Sequence, residues 1–194
     1  MIITKNWWRP SPTNAMQLLS LLLLTAVLTA MTVRDFRFRA IEGHYYLLLT
    51  ATVAFYTVLR APAGVLVANL LINALLVLLL MAGLWGYFKA RKGISLRELF
   101  GTQLGIGDLL FWVITAPLFA PLNFISWMTG SLLVILLVYG AVQVTGSRQQ
   151  PRATIPLAGM QALLLGLLLG ANQWVFHYDF FEEPLLLTAG GTLL

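Results

Sequence analysis

The stretch GVLVANLLINALLVLLLMAGLWGYF, residues Gly64–Phe88, decides the fold. It contains no charged residue, and it is flanked by Arg60 on one side and Lys89 on the other. A helix needs about 20 mostly apolar residues to cross a bilayer's hydrocarbon core, and this run is long enough. Asn69 and Asn73 interrupt it four residues apart, which puts both on one helix face. Hydrogen bonding to a neighbouring helix is the simple reading of that pair; a polar lining near a site is the sharper one.

Working outward, similar runs recur. Upstream lie Ala15 to Val33 and the shorter Tyr45 to Leu59; downstream lie Gly107 to Ala120, Asn123 to Val144 and Pro156 to Val175. The pattern predicts an all-α fold: a polytopic membrane helical bundle with about six transmembrane helices, forming a single membrane-embedded domain over residues 1–194. Pro117 and Pro121 break the fourth run. Proline cannot continue a helix cheaply, so a tight hairpin over Pro117–Asn123 is expected, with a re-entrant segment as the alternative. The weaker apolar stretch Pro184–Leu194 reads as a tail or interfacial segment. Trp7, Trp8 and Trp174 suit interfacial anchors, and Gly166 and Gly170 form a small-xxx-small packing pair.

Composition agrees. Hydrophobic residues make up 59% of the chain and charged residues 10%, against about 25% charged in an ordinary soluble domain. The net charge of +5 falls in short loops between apolar runs, where it sets orientation and not nucleic-acid binding. The 194 residues contain no cysteine, which excludes disulfides, thiolate zinc sites and cysteine nucleophiles. The first apolar run is longer than a signal-peptide core and reads as a retained helix. With alternating loops, Lys5, Arg9 and Arg60 fall on one side. Arg34, Arg37, Arg39, Lys89, Arg91, Lys92, Arg97, Arg148 and Arg152 fall on the other. The positive-inside rule makes the second side cytoplasmic and puts both termini outside.

Two acids stand at membrane edges. Asp35 follows the first run and Asp108 opens the fourth. Two crossings separate them, so both belong to the cytoplasmic face. Each has an ordinary explanation: Asp35 as a solvated charge among arginines, Asp108 as a helix cap. An anion at a helix C-terminus opposes the helix dipole, however, and Asp108 follows Gly105-Ile106-Gly107. Glycines there let another backbone approach the carboxylate closely.

Three segments carry a resemblance. They are Asp35-Phe36-Arg37-Phe38-Arg39-Ala40-Ile41, then Gly105-Ile106-Gly107-Asp108, then Ile155-Pro156-Leu157-Ala158-Gly159. In order and spacing they resemble the type IV prepilin peptidases and preflagellin peptidases, membrane aspartyl proteases with a GxGD signature. The resemblance covers roughly Ala15 to Trp174. Glu42 stands where the family often has proline, and Leu110 where it often has lysine. The resemblance extends to the proteolytic core only and implies no methyltransferase activity.

What it implies is an aspartic-type endopeptidase with Asp35 and Asp108 as the catalytic pair, and with Gly105 and Gly107 shaping the site. Two neighbouring carboxylates do not both ionise; one holds a proton while the other activates water. Such chemistry needs no cofactor and no metal. The implied partners are the lipid bilayer and a membrane-anchored precursor protein with a short basic leader, cut at the cytoplasmic face of the cell membrane; nucleic acid is not among them. The alternatives are an inactive member of the fold or a small ion-coupled transporter using its acids. His44 and His177 are expected on opposite sides and share no metal.

Overall fold

The computed structural model describes residues 12–93, 95, 98, 105–145 and 156–182. Trp7, Trp8, most of the polar loop before Pro156, Ile155 and the apolar stretch 184–194 lie outside these residues. The described elements are α1 (Pro12–Phe38), α2 (Gly43–Val58), α3 (Ala63–Lys92), α4 (Ile106–Thr115), a 3-10 turn (Ala116–Leu118), α5 (Pro121–Thr145), α6 (Leu157–Ala171) and a π turn (Asn172–Phe176). The protein is an all-α helical bundle. Four of its helices are long and apolar enough to cross a membrane: α1, α3, α5, and α6 with its π turn. It is therefore a multi-pass membrane protein. α2 and α4 are shorter; the 16 residues of α2 span about 24 Å at 1.5 Å per residue.

Helices α1, α2, α4 and α6 close into a ring. α1 packs on α6 and on α2, α2 packs on α4, and α4 packs back on α6. The interior is filled by Leu28 and Met31 of α1, Leu49 and Val53 of α2, Phe111 of α4 and Leu165 of α6, all buried. α3 leans on α4 and the 3-10 turn, while α5 covers α6. Leucines on the outside, such as Leu47, Leu78 and Leu137, stay exposed. In a bilayer that exposure is favourable, and close packing and interhelical hydrogen bonds hold the helices together instead.

Local chemistry sets the helix ends. α1 runs past Val33 to Phe38 and closes where Arg39 turns left-handed, with φ of 52°; the Arg39 N–H bonds back to the Asp35 carbonyl at 2.9 Å. Gly93 ends α3 in the same left-handed conformation, the usual glycine stop. Beyond it, Ser95 and Glu98 cap each other: the Ser95 N–H donates to the Glu98 carboxylate at 2.8 Å and the Glu98 N–H donates to the Ser95 hydroxyl at 3.3 Å.

The hairpin expected at Pro117–Asn123 forms, but its tip is buried inside the bundle. Ala116, Leu118, Phe119 and Ala120 are all shielded. Asn73 anchors the tip, donating to the carbonyls of Ala116 and Phe119 at 2.8 Å each. Asn73 sits ten residues into α3, about 15 Å along its axis. Residues 177–182 continue beyond the π turn. They fold back over the hairpin, where the Phe180 carbonyl accepts from the Ala120 N–H at 2.7 Å and from Asn123 at 3.1 Å. The Phe180 ring meets Phe119 edge-on. Buried carbonyls need such partners, and the two prolines, which lack an N–H, supply none to this turn.

Candidate active site

Asp35 lies in the last turn of α1, not beyond the helix as the sequence suggested, and this directs its side chain into the bundle. It is 7% exposed. Its Oδ2 accepts a hydrogen bond from the Gly159 N–H at 2.6 Å. Gly159 belongs to the first turn of α6, where backbone N–H groups lack helical partners and favour anions. The unfavourable end of the α1 dipole is thus offset by the favourable end of α6. One turn before Asp35, the Thr32 hydroxyl bonds to the Gly159 carbonyl at 3.1 Å, so α1 grips Gly159 through both of its backbone groups.

Asp108 arrives from α4. Its Oδ2 accepts from the Gly105 N–H at 3.2 Å, so the capping role read from the sequence is real. The same carboxylate lies within electrostatic reach of the Ala158 N–H and of Asp35. Both aspartates are thus brought toward one helix N-terminus, Asp35 by its hydrogen bond to Gly159 and Asp108 by its nearness to Ala158. The Pro156-Leu157-Ala158-Gly159 segment is the floor on which they converge.

Small residues make this convergence possible. A Cβ on Gly159 would lie 2.6 Å from the Asp35 Cβ and 2.7 Å from its Oδ2. A Cβ on Gly105 would stand 3.1 Å from the Asp108 Oδ2. A Cβ on Gly107 would collide with the Tyr46 hydroxyl. Tyr46 comes from α2 and senses both Asp108 and Asp35. Each helix of the ring thus contributes one part: Asp35, Tyr46, Asp108, and the Ala158-Gly159 amides.

A buried pin lies about one turn below. The Trp112 indole N–H donates to the Gln161 side-chain oxygen at 2.8 Å, and the Gln161 amide donates to the Ser131 hydroxyl at 3.3 Å. Trp112, Ser131 and Gln161 are all buried. Because Trp112 is one turn from Asp108 and Gln161 two residues from Gly159, the pin fixes the height of α4 against α6.

Other residues singled out in the sequence lie elsewhere. Asn69 and Asn73 face the hairpin end, far from the aspartates; Asn69 donates to the Phe181 carbonyl at 3.4 Å, so interhelical bonding accounts for the pair. Gly166 faces Leu28 at 4.0 Å, but nothing lies within 4 Å of a Cβ on Gly170, so only the first glycine of that pair packs. His44 starts α2 and His177 follows the π turn, at opposite ends of the bundle, and no group of potential metal ligands forms among the described residues. Glu42 pairs with Arg34 and with His44. Leu110 is exposed on α4. Trp174 is exposed at the far end of α6.

The aspartate end is also the basic end, with Arg34, Arg37, Arg39, Lys89, Arg91 and Lys92. Arg60 at the other end is tied down by the Ser20 hydroxyl and the Gln17 carbonyl, both at 3.0 Å, and lies over the Tyr56 ring. Comparison with protein-family models, curated proteins and solved structures found no match.

Proposed function

We propose that this protein is a membrane-embedded aspartyl endopeptidase of the prepilin-peptidase type, with Asp35 and Asp108 as its catalytic pair. The observation that carries the reading is that both carboxylates lie at the N-terminus of α6, Asp35 bonded to the Gly159 amide and Asp108 close enough to feel the charge of Asp35. In this reading the chain crosses the membrane six times, with α2 and α4 as short spans. The basic, aspartate-bearing end faces the cytoplasm of the cell membrane, and both termini lie outside.

The chemistry is peptide hydrolysis. The ionised aspartate takes a proton from water as the water oxygen bonds to the scissile carbonyl carbon. The protonated aspartic acid hydrogen-bonds the carbonyl oxygen, which gains negative charge. The C–N bond then breaks, the leaving amine takes up a proton, and the products are a carboxylic acid and an amine. Backbone amides, Gly159 for Asp35 and Gly105 for Asp108, hold the two carboxyl groups in place, so little reorganisation is needed during the reaction. The glycines let the side chains of Asp35, Asp108 and Tyr46 lie directly against backbone. The substrate class is a membrane-anchored precursor with a short basic leader ahead of an apolar helix.

The test is cleavage of such a precursor co-reconstituted in vesicles. Asp35→Asn and Asp108→Asn should each lower the rate by roughly 10²–10⁴-fold while the variants remain folded by circular dichroism. Cleavage at the unmodified rate in either variant refutes the assignment.

A further inference from the structure

Tyr46 is the one ring component that the aspartate chemistry leaves unused. Its position is unlike that of an interfacial tyrosine, whose hydroxyl points to headgroups. The side chain is only partly exposed, and its hydroxyl lies against the backbone of Gly107, the residue before Asp108. It lies within electrostatic reach of both Asp108 and Asp35. Among the described residues the Tyr46 hydroxyl is not one of the fully buried polar atoms left without a partner, and the side chain is partly open. A phenol has one donor proton and a ring stiff enough to aim it. The space a side chain on Gly107 would need is taken by this hydroxyl: an added Cβ would meet only Tyr46 atoms.

We propose that Tyr46 is a third catalytic group, whose O–H donates a hydrogen bond to the scissile carbonyl oxygen as that oxygen becomes charged. This rests on the peptidase reading above. Tyr46 keeps its proton throughout; the protons that move are those of water and of the aspartic acid. The phenol supplies a second donor to the oxyanion, from beside Gly107. Donors preset at the place where charge develops act on the transition state more than on the bound substrate. Their loss therefore lowers kcat and leaves KM nearly unchanged.

The experiment is steady-state cleavage by the full chain in vesicles, using a precursor peptide with a basic leader and an apolar helix, for the unmodified protein and for Tyr46→Phe. The phenylalanine ring keeps the packing, and a thermal melt in detergent checks that it does. The expected result is a kcat lower by roughly 10–100-fold, a KM within about twofold and an unchanged melt. A Tyr46→Phe variant with unaltered kcat, or with a raised KM alone, overturns the role of Tyr46 and leaves the peptidase reading standing. An unmodified protein that cleaves no precursor overturns the peptidase reading, and the role of Tyr46 with it.

Discussion

Gly159 and Asp35 are 124 positions apart in sequence, yet the amide of one donates to the carboxylate of the other at 2.6 Å. The bond joins the last turn of α1 to the first turn of α6 and leaves no room for a side chain on Gly159.

Gly159→Ala should therefore damage both stability and cleavage. The new methyl must push α1 from α6 or rotate Asp35 away. Overpacking of this kind costs about 1–3 kcal/mol, and cleavage should fall at least roughly tenfold, since small misplacements in a site are expensive. Gly166→Ala on the same helix is the control: its methyl would meet Leu28 at an ordinary 4.0 Å. Melts in detergent beside cleavage rates check both variants. Equal behaviour would show that the Gly159 contact is unimportant.

Gly107 and Tyr46 should behave as a coupled pair. Gly107→Ala places a methyl onto the Tyr46 hydroxyl and should destabilise by about 1–3 kcal/mol. Adding Tyr46→Phe removes the colliding oxygen, so the double variant should recover much of that stability. Neighbours that touch give interaction energies of about 0.5–3 kcal/mol in such cycles. Additive losses in the four melts would show that the two residues do not meet.

The Trp112–Gln161 bond predicts a different pattern. Gln161→Leu strands the indole N–H in an apolar interior, and interhelical hydrogen bonds in membranes average about 0.6 kcal/mol, reaching about 1.7. The loss should fall in that range. Trp112→Phe combined with Gln161→Leu should cost less than the sum of the single changes, because no donor is left unpaired. Cleavage should drop in the single variant as α4 shifts against α6, which a rate assay on folded protein measures.

Much of this architecture was legible in the sequence, for a definite reason. Long apolar runs have few alternatives to spanning helices, so the boundaries of α3, Ala63 and Lys92, lie within a few residues of the charge-free stretch that predicted them. The end of α1 was harder to read. Arg34 to Arg39 looks like a loop by charge, but the helix continues as far as Phe38, and Asp35 finds its partner on α6. Tyr46 and Gln161 gave no signal at all. A tyrosine near the start of an apolar helix reads as an interfacial anchor, and a lone glutamine reads as noise until its neighbours on other helices are known. The buried depth of the hairpin depends on Phe180 and Asn73, which no local pattern connects to Pro117.

The fold-back of residues 177–182 has a consequence for the membrane itself. Phe119, Phe124, Trp127 and Phe180 form an aromatic stopper at the end away from the aspartates. These rings close the far end of the bundle: a water path from that side to Asp35 and Asp108 would have to part Phe119 from Trp127, whose rings stack at 5.3 Å. If the chain hydrolyses peptides as proposed, its water would therefore be drawn from the basic end, and the far side of the membrane would stay sealed off from the reaction.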